Sequence, residues 1–320
     1  MLLREDSYME NKRKKPILLT AFGGNALIRS GQKGTAEEQI ENLNMPMKQI
    51  ARLSRKYRVV ITHGNGPQVG NLLLQQESCD EVPKMPLEII GAQTQGQIGY
   101  MIESSLETAL FETWINSEQY FATLITYVVV DEDDPAFQQP TKPIGPFYTK
   151  EEAAGLSYNM IKTDKGHRRV VASPKPITIV AHREIKKLIE MDFIVICCGG
   201  GGIPVIHKER KFCGVEAVID KDLASSVLAR EINADIFVVA SDVDGAAIHW
   251  GSPDQRLLKK VPLDEMEQYI QEGHFPAGSM GPKVESIRQF FSNTGNRGII
   301  CKLEDIEKAI GGKAGTEIIK

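Results

Sequence analysis

Apolar and polar positions divide most of the chain into short strand-like runs and longer stretches with helical spacing. Residues 17–22 and 58–62 are apolar runs of strand length, whereas 35–57 carries apolar side chains every three or four residues. Further predicted strands are 123–130, 193–198, 236–240 and 298–301, and further predicted helices are 181–191, 220–232, 280–293 and 304–310. This alternation predicts an α/β fold with an open, mainly parallel sheet and helices on both faces.

The pattern is interrupted between residues 131 and 176, where proline, glycine and charged residues are concentrated. This stretch is too long for a simple connection and contains several aromatic residues, so we interpret it as a small protruding subdomain, or lid. Residues 1–15 are polar and end in a basic cluster, which predicts a disordered tail.

Composition narrows the class of protein. The chain has 320 residues, of which 42% are apolar and 25% are charged, so it can bury a large core. A net charge of −4 does not indicate a nucleic-acid partner, and the apolar runs are too short to cross a membrane. The five cysteines include the adjacent pair Cys197 and Cys198 and suggest reduced thiols in the cytoplasm. No C-x-x-C or H-E-x-x-H motif indicates a protein-bound metal.

Four predicted strands are followed by loops that carry glycine or acidic residues, at 23–25, 63–71, 199–202 and 241–245. In a parallel sheet the ligand lies beyond the carboxyl ends of the strands, where such loops meet. Glycine lets backbone N–H groups approach an anion closely. Three glycine-rich loops at successive strand ends therefore predict a large polyanionic ligand.

Several familiar nucleotide motifs are missing. The sequence has no G-x-x-x-x-G-K-[ST] and no H-R-D or D-F-G, which argues against a P-loop protein and a protein kinase. The glycines at 64–70 resemble a dinucleotide loop, but Val69 stands where the third glycine belongs. The sequence therefore gives little support to a dehydrogenase.

Two lysines open predicted helices, Lys221 and Lys283. A cation in the first helical turn is unfavourable unless an anion binds there. Phosphoryl transfer requires concentrated positive charge near the transferring oxygens. We therefore predict that both lysines serve phosphoryl transfer, that Asp222 bridges them, and that Mg²⁺ is shared with the substrate phosphates.

Taken together, the motifs closely resemble those of the carbamate kinases, in order, from about residue 17 to residue 316. The matching segments are GGNA at 23–26, HGNGPQVGN at 63–71, QTQGQIGY at 93–100, PTKPIGPF at 140–147, RRVVASPKP at 168–176, GGGGIPV at 199–205, GVEAVIDKD at 214–222 and GSMGPKVE at 278–285. The resemblance implies the amino-acid-kinase fold, a homodimer, and reversible reaction of carbamoyl phosphate with ADP to give ATP and carbamate.

The resemblance also implies roles for individual residues. Carbamate and the transferring phosphoryl group would be bound by Gly23, Gly24, Asn25, Gly64, Asn65 and Gly66. The phosphates would be stabilised by Lys221 and Lys283, organised by Asp222, with Asp242 and Met280 near the nucleotide. Residues 16–130 and 177–215 would form the acceptor-side lobe, 131–176 the lid, and 216–320 the nucleotide-side lobe.

One position departs from the wider superfamily. Related amino acid kinases carry a lysine two residues before the paired glycines, where this chain has Ala21. We expect Lys142, held between Pro140 and Pro143, to supply that charge when the lid closes. The nucleophile is already an anionic oxygen and needs no general base, so His63 is expected to orient its loop.

Two alternatives stay open. One is another family member that phosphorylates an amino-acid carboxylate or an isopentenyl-type phosphate, against which the motif at 140–145 argues. The other is a catalytically silent nucleotide sensor, against which the presence of Lys221, Asp222 and Lys283 argues. The sequence does not distinguish arginine, allantoin or purine breakdown as the source of carbamoyl phosphate.

Overall fold

The computed structural model describes residues 15–113 and 119–320, apart from the side chain of Asn25. The tail predicted at 1–15 thus falls outside the described residues, except for Lys15. The Lys15 ammonium group donates to the Ser54 carbonyl at 3.1 Å, and the Lys15 carbonyl accepts from Arg58 Nε at 2.7 Å.

The strands of the described residues occupy four sheets. They are β1 (Ile17–Phe22), β2 (Arg58–His63), β3 (Phe121–Thr123), β4 (Tyr127–Val129), β5 (Lys142–Tyr148), β6 (Met160–Thr163), β7 (Gly166–Val171), β8 (Thr178–Ile179), β9 (Ile194–Ile196), β10 (Ile203–Lys208), β11 (Lys211–Gly214), β12 (Ile236–Ser241), β13 (Ala247–Ile248), β14 (Arg256–Leu257), β15 (Lys260–Pro262), β16 (Arg297–Lys302) and β17 (Thr316–Ile319). The main sheet has eight of them, in the order β15-β17-β16-β12-β1-β2-β9-β3. All its neighbours are parallel except β16 and β17.

The helices connect these strands and cover the main sheet. They are α1 (Ala36–Ser54), α2 (Gly66–Glu77), α3 (Leu87–Glu112), α4 (Lys150–Ala154), α5 (His182–Glu190), α6 (Lys221–Glu231), α7 (Leu263–Gln271), α8 (Met280–Thr294) and α9 (Ile306–Ile310). None of these described helices is long and apolar enough to cross a membrane. The α/β prediction with a mainly parallel sheet is confirmed.

Side-chain alternation in the strands places helices on both faces of the main sheet. In β1, Leu18 and Phe22 point to one face, where they join a buried cluster with residues of α1, α3 and α9. Leu19 and Ala21 point to the other face, where the cluster includes residues of α5, α6, α7 and α8. Because both faces are covered, the central strands are almost continuously apolar, as is usual for parallel sheets.

Local signals explain the first of these helices. Thr35 caps α1, and its side chain and that of Glu38 each accept a hydrogen bond from the other residue's backbone N–H. Leu43, Met47 and Ile50 follow at helical spacing and are fully buried. The helix predicted at 35–57 is thus confirmed, with slightly shorter bounds.

The single strand predicted at 123–130 is wrong. The chain forms two strands there, β3 in the main sheet and β4 in a second sheet of order β11-β10-β4-β8. Thr126 lies between them, and its backbone N–H donates to Gln95 Oε1 at 2.9 Å rather than to a strand. Its carbonyl accepts from the Ile203 N–H of β10 at 2.9 Å, so the chain changes sheets at this residue.

The lid contains its own antiparallel sheet, of order β5-β7-β6. It rests on α2 through a small apolar cluster that includes Val69, Leu73, Ile144 and Val171. Tyr148 adds a polar contact, because its hydroxyl donates to Glu77 Oε2 at 2.7 Å. A protruding subdomain is therefore confirmed, and its limits at 131–176 stay a prediction.

Candidate active site

A cavity of about 440 Å³ opens at the carboxyl ends of the central strands. The loops after β1, β2, β9 and β12 line it, together with the first turns of α2, α6 and α8 and with the lid. The predicted site residues that line this cavity are Gly23, Gly24, Gly64, Asn65, Gly66, Lys142, Lys221, Asp222, Asp242 and Lys283. The fold thus brings together residues that are up to 260 positions apart, from 23 to 283.

The Asp222 carboxylate lies between two lysines in this cavity. Lys221 Nζ contacts Asp222 Oδ1, and Lys283 Nζ contacts Asp222 Oδ2 at 3.0 Å. The Asp222 side chain is only 4% exposed, and those of Lys221 and Lys283 are 11% and 17% exposed. The bridge predicted from sequence therefore exists as a buried triad of two cations and one anion.

Each charged group of the triad shifts the pKa of its neighbours. Burial would raise the pKa of Asp222, but the two ammonium groups outweigh burial and hold that pKa below its ordinary value. Burial lowers the pKa of Lys221, as does repulsion from Lys283, while the Asp222 carboxylate opposes both effects. A bound phosphate would add negative charge beside these lysines and would favour their charged forms.

The packing of α6 against α8 fixes the spacing of the two lysines. Asp220 caps α6, since its Oδ1 accepts from the Asp222 N–H at 2.9 Å. Ser226 in α6 donates to the Ser286 carbonyl in α8 at 2.8 Å. Ser225 makes a 2.6 Å hydroxyl contact with Thr62 of β2, which ties α6 to the sheet. These hydrogen bonds fix α6 relative to α8 and to the sheet, and thereby fix the positions of both lysines.

The loops after β1 and β2 approach each other and Lys221 at Gly64. A Cβ at Gly64 would lie 3.2 Å from the Gly24 N atom and 3.5 Å from Lys221 Cδ. The Gly64 N–H already donates to the Phe22 carbonyl at 3.0 Å. A side chain here would crowd the point where the two loops and the Lys221 stem converge, so glycine permits their close approach.

Asn65 is positioned by two further segments. Its Nδ2 donates to Thr94 Oγ1 of α3 at 2.9 Å. Gly200, at φ +65°, leaves room for it, because a Cβ there would lie 2.2 Å from Asn65 Nδ2. The glycine-rich loop after β9 therefore supports the loop after β2. Sequence alone gave no role to Thr94, although it lies in the quoted motif at 93–100.

His63 ends β2 and is buried directly behind the cavity. Burial lowers its pKa to about 4, and the nearby Lys221 charge lowers it as well, whereas a hydrogen bond to Gly64 raises it. The neutral ring donates from Nδ1 to the Gly64 carbonyl at 3.1 Å. A Cβ on Gly199 would lie 2.5 Å from the ring, so His63 packs between two of the glycine loops.

The lid contributes two cations to the cavity wall. Lys142, at the start of β5, donates to Asp220 Oδ2 at 3.0 Å, so the carboxylate that caps α6 also pairs with the lid. Arg168, on β7, lines the same cavity. Sequence alone gave Arg168 no role, and its place in the motif at 168–176 was the only available signal.

Two predicted residues are not among the described residues that line the cavity. Met280 packs, partly buried, against the apolar core and is absent from the cavity wall, so its contact with nucleotide stays a prediction. Asn25 lies in a short 3₁₀ helix, Gly24–Ala26, but its side chain is outside the described part of the chain.

A larger cavity, of about 540 Å³, lies beside the first and shares Ser241 and Asp242 with it. Its other lining residues include Arg29 and Lys302 but none of the triad. The buried charges, rather than the volume, therefore identify the candidate site.

Known proteins match this chain along nearly its whole length. The amino acid kinase family pattern matches residues 16–302. The carbamate kinase of Thermococcus kodakarensis is 48% identical over 95% of this chain and 99% of its own, and that of Haemophilus influenzae is 45% identical over 95% and 96%. The structure of Giardia lamblia carbamate kinase bound to AMP-PNP superposes with a TM-score of 0.90 at 40% identity, covering 96% of this chain and 99% of that one.

The chain belongs to the carbamate kinases, in the amino acid kinase family. This confirms the family that the sequence motifs indicated and the fold that the family implies. Because both chains are covered almost completely, the similarity to other carbamate kinases includes the lid as well as the sheet.

The buried His63 of this carbamate kinase predicts a specific acid sensitivity. Its folded pKa of about 4 lies below the unfolded value near 6.5, so the unfolded chain binds more protons between these values and stability falls as pH falls. From pH 7 to pH 5 this histidine should remove ~2 kcal/mol of unfolding free energy. The unfolding free energy of His63→Gln, measured by urea unfolding, should therefore decrease by correspondingly less between pH 7 and pH 5.

The exposed His207, changed to Gln, controls for the loss of a histidine elsewhere. Equal decreases in unfolding free energy for His63→Gln and the parent protein would show that His63 titrates normally in the folded state.

Proposed function

We propose that this chain catalyses reversible phosphoryl transfer between carbamoyl phosphate and ADP, giving ATP and carbamate. The buried triad of Lys221, Asp222 and Lys283 is the observation that carries the proposal. Its two ammonium groups share one carboxylate, which leaves one positive charge to be balanced by phosphate oxygens. Such charge, fixed before the reaction, stabilises the transferring phosphoryl group without reorganisation in the transition state.

Acceptor binding is assigned to the loops opposite the triad. We assign Gly23, Gly24 and Asn25 after β1, and the 64–66 loop after β2, to carbamate and the transferring phosphoryl group. Support comes from the close approach of these loops to the Lys221 stem at Gly64. Carbamate is a small anion, which backbone N–H donors and the first turn of α2 can bind without an apolar pocket.

Proton transfer is not required of the protein in this reaction. The attacking atom is an anionic oxygen of carbamate in one direction and of ADP in the other. A neutral, buried His63 is consistent with this assignment, since it donates to a backbone carbonyl and supports the glycine loops. Catalysis therefore depends on positioning and charge.

The nucleotide is assigned to the side of the cavity formed by the loop after β12 and the first turn of α8. Asp242 and Lys283 line this side, and we keep Met280 as a proposed nucleotide contact. A relative of known structure, from Giardia lamblia, was solved with AMP-PNP bound. The lobes proposed for the chain are acceptor-side at 16–130 and 177–215, lid at 131–176, and nucleotide-side at 216–320.

Magnesium is proposed to enter with the nucleotide. Within residues 15–113 and 119–320 no group of three His, Cys, Asp or Glu side chains is arranged to hold a metal ion. Mg²⁺ commonly keeps water and phosphate ligands and needs few protein carboxylates, a demand that this cavity fits, with Asp242 on its nucleotide side. When bound, the ion would neutralise charge on the phosphates.

A homodimer is proposed through the outer face of α3. Ile89, Tyr100 and Phe111 are spaced by three helical turns, so they share a face, and they are 41%, 69% and 76% exposed. Large apolar side chains exposed along one face are typical of a protein interface. We also propose a cytoplasmic location, supported by the free thiols of Cys197 and Cys198. A role in arginine or related nitrogen catabolism is proposed from the similarity to carbamate kinases alone.

The activity is tested by mixing purified protein with carbamoyl phosphate, ADP and Mg²⁺ and following ATP by luciferase luminescence. ATP should form only when all components are present. Parallel reactions of ATP with glutamate, aspartate or isopentenyl phosphate test the alternative acceptors and should consume no ATP above background. Absence of ATP from carbamoyl phosphate would contradict the proposal and would favour a silent nucleotide sensor.

The lid lysine is tested by Lys142→Met. We propose that Lys142 leaves Asp220 for the phosphoryl group when substrate binds, and so replaces the charge that Ala21 lacks. Loss of one such preorganised donor should lower turnover on the order of 10²–10³-fold at saturating substrates, with ADP binding retained. Lys162→Met is the control: Lys162 is the exposed residue of strand β6 in the same lid, and the variant should retain full turnover. Parent-like turnover in Lys142→Met would make this lysine dispensable.

A further inference from the structure

Arg168 differs from the lysines of the cavity in its charge environment. Each of the three cavity lysines contacts a carboxylate, either Asp220 or Asp222. Around Arg168, no carboxylate of the described residues lies within ion-pair distance, and its side-chain hydrogen bond goes to a backbone carbonyl. Its charge is therefore not balanced by the protein, although the side chain is half-buried in the cavity wall.

The guanidinium group of Arg168 is held in one orientation. Its Nε donates to the Gly145 carbonyl at 3.2 Å, and its Cζ lies 5.1 Å from the centre of the Phe147 ring. These contacts use one edge and one face of the planar group. The two terminal nitrogens are left as a pair of parallel donors, which is the geometry that binds two oxygens of one oxyanion.

Burial lowers the pKa of Arg168 from its usual value, but an arginine stays protonated in proteins. Burying half of a cation without a counter-ion costs desolvation free energy, which the binding of an anion would offset. The binding of an anionic substrate would therefore relieve an existing electrostatic imbalance.

The position of Arg168 is linked to the acceptor side of the cavity. Gly145, which accepts its hydrogen bond, has a φ of +69° and lies against Gly70 and Leu73 of α2. This helix begins at Gly66, at the end of the proposed acceptor loop. Arg168 and the acceptor loop are thus positioned by the same helix, on the lid side of the triad.

We propose that Arg168 binds an oxyanion of carbamoyl phosphate or carbamate through its two terminal nitrogens and selects this substrate from the lid side. The proposal rests on the proposed function, because it takes carbamoyl phosphate as the ligand. It assigns Arg168 to the acceptor substrate and not to ADP.

The neighbouring Arg169 provides a matched control. It alternates to the other face of β7, where its guanidinium contacts Glu216 and lies 4.0 Å from the centre of the Tyr158 ring. Arg169 is absent from the cavity wall. The two arginines therefore share a strand and a charge but differ in access to substrate.

The test compares the parent protein with Arg168→Gln, Arg168→Lys and Arg169→Gln. Titration calorimetry measures the Kd of carbamoyl phosphate without ADP, and steady-state assays measure KM for carbamoyl phosphate and ADP separately. Arg168→Gln should weaken carbamoyl phosphate binding roughly 10- to 100-fold and leave KM for ADP within about twofold. The Kd of carbamoyl phosphate for Arg168→Lys should lie between the values for the parent and for Arg168→Gln, because lysine keeps the charge but lacks the paired donors. Arg169→Gln should bind like the parent.

The calorimetric arm separates this proposal from the proposed function. Failure of the parent protein to make ATP would overturn the proposed function, whereas binding of carbamoyl phosphate would still report on Arg168. Unchanged binding in Arg168→Gln, or equal losses of affinity for carbamoyl phosphate and ADP, would overturn the role of Arg168.

Thermal unfolding controls for the folding of each variant. Midpoint temperatures near that of the parent verify that the lid remains folded. If Arg168→Gln unfolds at a clearly lower temperature, the titration of Arg168→Lys decides.

Discussion

The candidate site depends on one carboxylate placed between two ammonium groups. Lys221 and Lys283 come from the first turns of two different helices, where the helix dipoles and their mutual repulsion both oppose them. Asp222 contacts both and is itself almost fully buried. Buried charges are tolerated only when they are paired. The carboxylate therefore allows two lysines to be held close together in a buried site.

The rest of the fold can be understood as the support of this arrangement. The four central strands β12-β1-β2-β9 direct their carboxyl ends to one edge, so glycine loops face the triad from the sheet. On one side of that sheet, the Ser226–Ser286 hydrogen bond joins α6 to α8 and fixes the lysines relative to each other. The lid closes the remaining side and pairs Lys142 with Asp220, the cap of α6. Sheet, helices and lid thus meet at the first turn of α6.

The sequence predicted the elements whose side chains repeat clearly. The strand at 17–22 and the helices around Leu43 and Leu228 have simple periodicity, and the two lysines were recognisable because they open helices. Helices α2 and α3 were not predicted. In α3 the buried face includes the polar Thr94, Gln95 and Ser105, while large apolar side chains such as Tyr100 and Phe111 are exposed, so the sequence shows no simple apolar stripe. The change of sheet at Thr126 was not predicted either, because it depends on a hydrogen bond to Gln95, 31 residues away. Arg168 and Arg169 are adjacent in sequence, and only the strand register separates the one at the cavity from the one outside it.

The most direct measurement is the turnover of Asp222→Asn, together with its affinity for ADP. The amide keeps the shape of the side chain but removes the charge that holds both lysines. Turnover at saturating carbamoyl phosphate and ADP should fall by at least ~100-fold, because the interaction acts mainly in the transition state. The Kd of ADP, measured by calorimetry on the same folded protein, should change by less than about tenfold. Turnover equal to that of the parent, or a loss of ADP affinity as large as the loss of turnover, would contradict the central role of Asp222.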